Sequence, residues 1–253
     1  MTLPPVATRE SVREERFREV WAKELQEVFA DVAPYYDRAN KLATLGMLRR
    51  LERKFMDTVN VNAGERVLDV CAGTNAIGIA MLKREPSLEV HAVDRNAAML
   101  AVGRSRAETL GFRISSTISD VHTLPFPDNH FDIVTLQFAS RHLRVKQVVA
   151  EIHRVLKPGG RFHHCDMLRP ANRAVEILYY AYLRPCLAFT AFAFGSGRAA
   201  LSCKRYFIDV LQMFYSVDEL SGVLADLGFH NAEGRTVLAG MVGFHRAVKP
   251  PSG

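Results

Sequence analysis

Three carboxylic acids follow successive apolar runs of this chain, and their positions suggest a site for a nucleoside-like ligand. Asp69 ends one run, and a turn of small residues that contains Gly73 and Thr74 follows it. A small-residue turn lets the backbone approach a ligand closely, and the helix after it presents free N–H groups. Asp94 lies 25 residues beyond Asp69, where a carboxylate can accept hydrogen bonds from both hydroxyls of a ribose. Asp120 follows the next run, where an adenine amino group would lie.

Each acid taken singly is equally well explained as a surface residue or a helix cap. Three acids at the ends of successive parallel strands favour a common site, because ligands bind at that edge of such sheets. The turn Cys71-Ala-Gly-Thr-Asn-Ala76 lacks the GxGxxG of dinucleotide dehydrogenases. The chain also has no GxxxxGK[ST], which argues against nucleoside triphosphate hydrolysis.

Strands that alternate with helices must position these acids, and this alternation predicts an α/β fold with a mostly parallel sheet covered on both faces. The pattern predicts strands at 66–70, 89–93, 114–119, 132–137 and 160–166, and helices at about 75–84, 96–109 and 145–156. Lys157-Pro-Gly-Gly160 is predicted to end the last helix and to turn into the next strand. Two further β-rich runs, 232–238 and 241–248, predict a hairpin and one antiparallel strand in a seven-stranded sheet.

Further helices are predicted outside this alternation. Apolar residues at helical spacing predict an amphipathic helix over 10–31 and a second helix over 47–59. Ser216 and Glu219 form a capping-box pattern, and Gly228 is predicted to end the helix that they begin. We therefore divide the chain into an N-terminal helical cap, 1–60, and a cofactor-binding domain, 61–253, with a helical lid inserted at about 170–215.

The segment 174–194 is unusually apolar. Glu176, Arg184 and Pro185 interrupt it, which argues against a transmembrane span. Two interpretations stay open at this point. The segment is either a pair of buried helices, or an apolar lid or membrane-facing patch over the active site.

Composition limits the class of protein. Of 253 residues, 48% are hydrophobic and 24% charged, as in an ordinary globular protein. The four cysteines form no CxxC pair, which predicts reduced thiols and no metal site. The N-terminus lacks the apolar core of a signal peptide, so we expect a cytoplasmic protein. A net charge of +6 suits an anionic partner such as nucleic acid, a membrane surface or a phosphorylated substrate.

Five segments carry a family resemblance: Phe29-Ala-Asp-Val-Ala-Pro-Tyr-Tyr-Asp-Arg-Ala-Asn40, Leu124-Pro-Phe-Pro-Asp-Asn-His-Phe-Asp132, Phe138-Ala-Ser-Arg-His142, Val155-Leu-Lys-Pro-Gly-Gly-Arg161 and Phe244-His-Arg-Ala-Val-Lys-Pro250. Together they resemble motifs of the ubiquinone/menaquinone biosynthesis C-methyltransferases, the UbiE/MenG type, over nearly the full length. The second and fourth segments also occur in many other class I methyltransferases. The first, third and fifth are more particular to the quinone group.

The resemblance implies a Rossmann-like class I methyltransferase that uses S-adenosyl-L-methionine to methylate a ring carbon of a prenylated hydroquinone, such as demethylmenaquinol. The family's cofactor contacts fall by position on Thr74, Asp94, Asp120, Val121 and Gln137. With Asp69 and Gly73 from the strand-end pattern, these residues form the predicted cofactor site.

The chain departs from the family at a few positions. The family's GTGD is Gly73-Thr-Asn-Ala76 here, so one glycine and one acid are lost. Asn tolerates left-handed backbone angles better than most residues, so we expect the turn to survive. The family's Asn after the arginine is His142, and its Ser in the YLxxSI motif is Val210.

Methylation at carbon needs a nucleophilic ring, which deprotonation of a neighbouring hydroxyl provides. We predict that Arg141 stabilises the resulting phenolate and that Tyr36 orients the ring. Asp166 or His142 is predicted to receive or relay the proton. The alternatives are a structural salt bridge for Arg141 and a packed core aromatic for Tyr36.

Other functions stay open. A class I methyltransferase could act on another apolar small molecule, because the fold does not fix the acceptor. A nucleic-acid enzyme would suit the charge, but Leu136-Gln-Phe-Ala139 replaces the Asn/Asp-Pro-Pro-aromatic signature of amino methylation, so we expect no nucleic-acid partner. A non-catalytic paralogue that binds the cofactor or lipid is the last alternative. We expect a quinol substrate and transient membrane-surface contact, and we leave the oligomeric state open.

Overall fold

A seven-stranded sheet organises the chain, as seen in a computed structural model that describes residues 4–44, 46–193 and 198–251. The strands are β1 (Arg66–Val70), β2 (Glu89–Asp94), β3 (Ser115–Ile118), β4 (Phe131–Gln137), β5 (Leu156–Met167), β6 (His230–Val237) and β7 (Val242–Val248). Their order across the sheet is β3-β2-β1-β4-β5-β7-β6, and β7 runs antiparallel to both neighbours. The predicted sheet, mostly parallel with one antiparallel strand, is confirmed.

The central strands are buried on both faces, which explains their continuous apolar runs. In β1, Val67 and Leu68 point to opposite faces of the sheet and are both fully buried. β1 pairs in parallel with β2 on one side and with β4 on the other. The strand order therefore reverses at β1, and a crevice opens beyond the carboxyl ends of these strands.

Two predicted strand boundaries are wrong. β5 begins at Leu156, which pairs with Phe131, although the sequence predicted a turn until Gly160. The pairing of β5 with β4 shifts its register between Phe131 and Ile133. Gly159 takes a positive φ of 78° in this irregular first part of β5. β6 begins at His230 instead of 232, because the strand pairs with β7 from its first residue.

The helices cover both faces and the crevice. They are α1 (Val6–Glu19), α2 (Leu25–Val32), α3 (Tyr36–Ala43), α4 (Met47–Met56), α5 (Ala76–Arg84), α6 (Ala97–Thr109), α7 (Val145–Val155), α8 (Arg173–Ala193), α9 (Arg198–Met213) and α10 (Val217–Asp226). A π-helical turn, Val20–Glu24, joins α1 to α2, so the helix predicted over 10–31 is one continuous helical run that begins earlier. The capping box of Ser216 and Glu219 is present, and Gly228 ends that helix region with a φ of 88°.

Among the residues that the structure describes, three apolar cores hold these layers together. α7 and α10 pack on one face of the sheet, and α4, α5 and α6 pack on the other. The third core joins the N-terminal helices to the segment after β5: Phe17 and Trp21 lie with Tyr179, Tyr206 and Leu211. The N-terminal helices and the inserted helices thus stabilise each other through one shared core.

Helix α8 is buried on one side and exposed on the other. Tyr179 and Tyr180 are buried in the third core, whereas Ile177, Leu178 and Tyr182 are exposed. The helix continues through Pro185 to Ala193, so residues 174–193 form one helix and not the pair of buried helices of the first interpretation, and residue 194 lies outside the described residues. In the described ranges, no helix combines the length and the apolar character needed to span a bilayer.

Candidate active site

The cofactor loop, residues 71–76 between β1 and α5, contains three left-handed residues. They are Cys71 (φ 54°), Gly73 (φ 52°) and Asn75 (φ 55°). Gly103 of α6 approaches this loop so closely that a Cβ would lie 2.8 Å from the side chain of Asn75. Asn75 does adopt the left-handed angles that were expected of it, so the turn survives the loss of a family glycine.

The carboxylates near the ends of β1 and β2 are hydrogen-bonded; Asp69 is buried and Asp94 is partly buried. Asp94 accepts from the backbone N–H of Gly73 at 2.9 Å and of Asn96 at 2.8 Å, which ties the cofactor loop to the end of β2. Asp69 accepts from the hydroxyl of Thr135 at 2.7 Å. Burial raises the pKa of Asp94, and burial raises the pKa of Asp69 to about 7 against the opposing effect of its hydrogen bonds.

Asp120 lies in a different environment. Its burial would raise the pKa, but hydrogen bonds from the backbone and ring of His122 lower the pKa overall. The amide nitrogen of Gln137 is buried and has no hydrogen-bond partner. One cavity is lined by all the predicted cofactor residues: Asp69, Gly73, Thr74, Asp94, Asp120, Val121 and Gln137.

The N-terminal helices close this cavity through residues that the sequence analysis did not select. Asp37 of α3 accepts from the Thr74 hydroxyl at 3.0 Å and pairs with Arg106 at 2.7 Å. The backbone of Trp21 accepts from Arg95 at 3.1 Å. Trp21 and Asp37 both line the cavity. Asp37 lies within the first family segment, and this position was the one sequence clue to its role.

Two of the predicted acceptor-side residues, Tyr36 and His142, line the same cavity. Burial raises the pKa of Tyr36, against a hydrogen bond with Asn40 and the charge of Arg141. Burial lowers the pKa of His142 well below its usual value, and the charges of Arg141 and Arg13 lower it further. His142 is therefore neutral. Its Nδ1 forms a hydrogen bond with the Tyr206 hydroxyl, and its Nε2 has no protein partner.

Arg141 and Asp166, the other two predicted catalytic residues, form a buried ion pair. The Arg141 guanidinium also donates to the carbonyl of Phe138 at 2.9 Å, and its Nε has no partner. The pair does not line the cavity itself, but its sequence neighbours Phe138 and His142 do. Burial raises the pKa of the lining Cys71 thiol, and the nearby carboxylates, among them Asp166, raise it further. The salt bridge considered for Arg141 is present.

The donor set of the cavity fits an adenosyl group. Carboxylates end three adjacent strands, the backbone of Gly73 is free of a Cβ, and the Gln137 amide lacks a protein partner. Among residues 4–44, 46–193 and 198–251, no cluster of His, Cys, Asp and Glu is arranged to hold a metal ion.

Comparison with known sequences assigns the chain to a family. The sequence profile of the ubiE/COQ5 methyltransferase family matches residues 15–249. The chain belongs to the ubiE/COQ5 methyltransferase family. It is 34% identical over 245 residues to the "Ubiquinone/menaquinone biosynthesis C-methyltransferase UbiE" of Pseudomonas syringae pv. tomato, and 34% identical over 233 residues to that of Pseudomonas putida (strain W619). Each match covers 90% of both chains.

Solved structures share the fold of this ubiE/COQ5 family member. A SAM-dependent methyltransferase from Aquifex aeolicus matches with a TM-score of 0.55 at 18% identity, over 78% of this chain and 88% of that one. Phosphoethanolamine N-methyltransferase 2 from Haemonchus contortus, in complex with S-adenosyl-L-methionine, matches with a TM-score of 0.59 at 16% identity, over 79% and 52%. The Rossmann-like class I methyltransferase fold is confirmed, and the protein is an S-adenosyl-L-methionine-dependent methyltransferase.

Proposed function

We propose that this protein methylates a ring carbon of a prenylated hydroquinone, such as demethylmenaquinol, in quinone biosynthesis. The relatives named as ubiquinone/menaquinone biosynthesis C-methyltransferases match 90% of this chain. The observation that carries the proposal is the juxtaposition of the cofactor cavity with Tyr36 and His142, beside the buried pair of Arg141 and Asp166. This juxtaposition supports an acceptor site next to the cofactor residues.

The cofactor residues divide the binding work. The carboxylate of Asp94 would accept from the ribose hydroxyls, Asp120 and Val121 would hold the adenine, and the cofactor loop would hold the amino-acid part. Gln137, whose amide nitrogen has no protein partner, donates to the bound cofactor. S-adenosyl-L-methionine supplies an electrophilic methyl group when it is bound.

The acceptor ring packs in the apolar part of the cavity. Trp21, Leu25, Phe29 and Leu143 supply apolar walls there, and Tyr36 orients the ring. These walls exclude water from the reacting carbon, which strengthens every electrostatic interaction at that carbon. An aromatic acceptor with a flexible apolar tail suits such a wall better than a charged metabolite.

Arg141 stabilises negative charge on the acceptor oxygen. Its guanidinium stays charged at any working pH, and Asp166 fixes its orientation through the ion pair. The Nε of Arg141 has no protein partner, but it is buried and Arg141 does not line the cavity, so Arg141 acts on the acceptor oxygen through its charge. His142 is neutral, so it orients the acceptor through Nε2 without adding charge.

The exposed side of α8 contacts the membrane that holds the quinol. Ile177, Leu178 and Tyr182 are exposed there, and Arg184 adds positive charge beside them, whereas Arg173 pairs with Glu176 at 2.6 Å. Apolar residues flanked by cations bind an anionic bilayer surface. The same helix buries Tyr179. Burial raises the pKa of Tyr179 and the charge of Arg141 opposes this, so the buried side of α8 lies near the Arg141–Asp166 pair.

The proposal is tested by incubating the purified protein with S-adenosyl-L-methionine and reduced demethylmenaquinol, with mass spectrometry of the product. We expect the gain of one methyl group and a product that still oxidises to a quinone, which an O-methyl ether cannot do. Methylation of other apolar phenols alone would favour a different acceptor. Failure to bind the cofactor by calorimetry would favour a non-catalytic paralogue.

Quinone analysis of cells with and without the gene supplies an independent readout. We expect the demethylated quinone to accumulate in the cells that lack the gene. An unchanged quinone profile would contradict the proposed acceptor.

A further inference from the structure

A chain of buried side chains leads from Asp166 away from the cofactor cavity. The Ser140 hydroxyl lies 2.6 Å from Oδ2 of Asp166 and 2.8 Å from Nε2 of His164. The Nδ1 atoms of His164 and His245 lie 3.1 Å apart. Nε2 of His245 lies 3.0 Å from the carbonyl of Val217, in the first turn of α10. All four side chains are at most 2% exposed.

Proton counting shows that this chain is one proton short in its ordinary charge state. The contacts form four hydrogen bonds in series, and each needs one proton. With Asp166 ionised and both imidazoles neutral, the chain has three: one on Ser140 and one on each ring. The Val217 carbonyl can only accept, so His245 donates to it and His164 donates to His245. Ser140 then has one proton for two neighbours, Asp166 and Nε2 of His164. Its second contact joins two acceptors with no proton between them.

One added proton completes the chain in two ways. In the first, Asp166 is protonated and each group donates toward α10, as far as His245 and the Val217 carbonyl. In the second, Asp166 is ionised, each bond between Asp166 and His245 reverses its direction, and His245 carries protons on both nitrogens. The two states differ only by a shift of protons along existing hydrogen bonds.

We propose that Asp166, Ser140, His164 and His245 form a proton relay that accepts the proton released by methyl transfer. This inference deepens the proposed function and rests on it. Methylation of a ring carbon releases one proton, because the carbon exchanges its hydrogen for the methyl group and the C–H electron pair returns to the ring.

Each transfer in the relay balances. The proton released in the cavity crosses beside the lining residues Phe138 and His142 to the Asp166 carboxylate, which passes a proton to Ser140. Ser140 passes its own proton to Nε2 of His164, and His164 passes the Nδ1 proton to Nδ1 of His245. The positive charge moves to His245 under α10, and Asp166 is again the ionised partner of Arg141. When the product leaves, the reverse shift returns the proton to Asp166 and from there to the solvent that enters the cavity.

The charges around the relay favour an added proton that stays only briefly. Burial lowers the pKa of His164, and His245 lowers it further. Burial also lowers the pKa of His245, while the Val217 carbonyl and Asp218 of α10 oppose this. Arg141 pairs with Asp166 at the other end of the relay. Both imidazole rings are therefore neutral before methyl transfer, and the contact beside Ser140 that lacks a proton can take one up.

Strand β5 contains a matched control for this relay. His163 precedes His164, points to the opposite face and is also fully buried. Neither of its ring nitrogens has a hydrogen-bond partner, and burial lowers its pKa to about 3. His163→Leu therefore removes a buried imidazole from the same strand without touching the relay.

The direct test is nuclear magnetic resonance of histidine ring nitrogens in the ¹⁵N-labelled full chain, titrated with acid. In the wild type we expect His245 to gain its second ring proton at the same midpoint at which His164 changes from the Nδ1–H to the Nε2–H form. In Ser140→Ala only two bonds and two ring protons remain, so both rings should stay neutral over that range. Independent titration of the two rings, or a Ser140→Ala spectrum that titrates like the wild type, would overturn the relay.

Single-turnover methylation supplies the second readout. We expect Ser140→Ala and His164→Leu to lower the rate about 10-fold and to change its pH profile, with cofactor affinity unchanged within about twofold. His163→Leu should match the wild type. An equal loss of methylation rate in His163→Leu and His164→Leu would show that His164 serves only packing, and would overturn the proposal. If the wild type methylates no quinol, the proposed function fails, while the ring-nitrogen spectra still decide whether the proton is shared.

Discussion

Asp69, Asp94 and Asp120 occupy equivalent places at three strand ends, yet their titration differs. The pKa of Asp69 is raised to about 7 by burial, that of Asp94 is also raised by burial, and that of Asp120 is lowered by its bonds with His122. Water remains in contact with Asp120, half of whose side chain is exposed, whereas Asp69 is buried among apolar strands. Equal residue types at equal positions therefore have unequal charge at neutral pH.

Stability should depend on pH through Asp69. A carboxyl whose folded pKa is raised stabilises the fold below its unfolded pKa of 3.8, and this contribution is lost as pH rises through about 7. We expect Asp69→Asn to gain stability relative to the wild type by about 3 kcal/mol between pH 5 and pH 8. Urea unfolding at both pH values measures the change. A pH-independent difference between the two proteins would contradict it.

Asp94 should dominate the affinity for the cofactor. We expect Asp94→Ala to weaken binding of S-adenosyl-L-methionine by about 2–3 kcal/mol, because the ribose hydroxyls lose a charged acceptor. Asp94 also accepts from the N–H groups of Gly73 and Asn96, so Asp94→Asn, which keeps one acceptor oxygen, should lose less. Calorimetry measures both affinities. Unchanged affinity for S-adenosyl-L-methionine in Asp94→Ala would contradict the assignment of Asp94 as the ribose acceptor.

Arg141 should affect both turnover and folding, because its partner is buried. We expect Arg141→Ala to lower turnover about 100-fold or more, the usual scale for one donor that stabilises an oxyanion. It should also lower the melting temperature, since the carboxylate of Asp166 is left unpaired in the interior. Arg141→Lys keeps the charge and should retain part of the activity. Turnover per folded molecule separates the roles: if it is intact in Arg141→Ala, the residue is structural.

The cofactor loop carries the clearest strain among the elements. Asn75 is fully buried in a left-handed conformation, and both polar atoms of its side chain lack partners. We expect Asn75→Gly to stabilise the fold by about 1 kcal/mol, because relief of these two costs exceeds the entropy that glycine adds to the unfolded chain. The melting temperature should rise by about 2–4 °C. Asn75→Ala keeps a Cβ in the left-handed region and should gain less, and a Gly variant less stable than the wild type would contradict the argument.

At the scale of the whole molecule, the exposed side of α8 should decide membrane contact. Leu178 is 70% exposed on α8, and Ile118 is 64% exposed on the edge strand β3, so the two form a matched pair. We expect Leu178→Gln to weaken binding to anionic phospholipid vesicles about 10-fold, since one apolar side chain is lost from the bilayer contact. Ile118→Gln should bind as the wild type does. Vesicle flotation at low salt measures both, and equal binding by the two variants would show that α8 does not face the lipid.

The sequence by itself determined the features that depend on short-range patterns. Val121 and Gln137 of the cavity came from the family resemblance. Apolar runs, turn residues and the acids at strand ends predicted the parallel sheet, its antiparallel strand and the cavity residues Asp69, Asp94 and Asp120. Each of these follows from the side-chain period of one strand or helix, or from the backbone freedom of one turn. Strand boundaries failed where pairing with a neighbour extended the strand, as at Leu156.

The tertiary structure alone decided which polar side chains meet. Asp37 reaches Thr74 across 37 residues, and His164 reaches His245 across 81, because the register of β5 against β7 places these two histidines opposite each other. The sequence left open whether Arg141 contacts the acceptor or forms a salt bridge. The tertiary structure places Asp166, near the end of β5, in an ion pair with it. No local pattern encodes a strand register or the burial that sets a pKa, since both arise only when distant elements pack together.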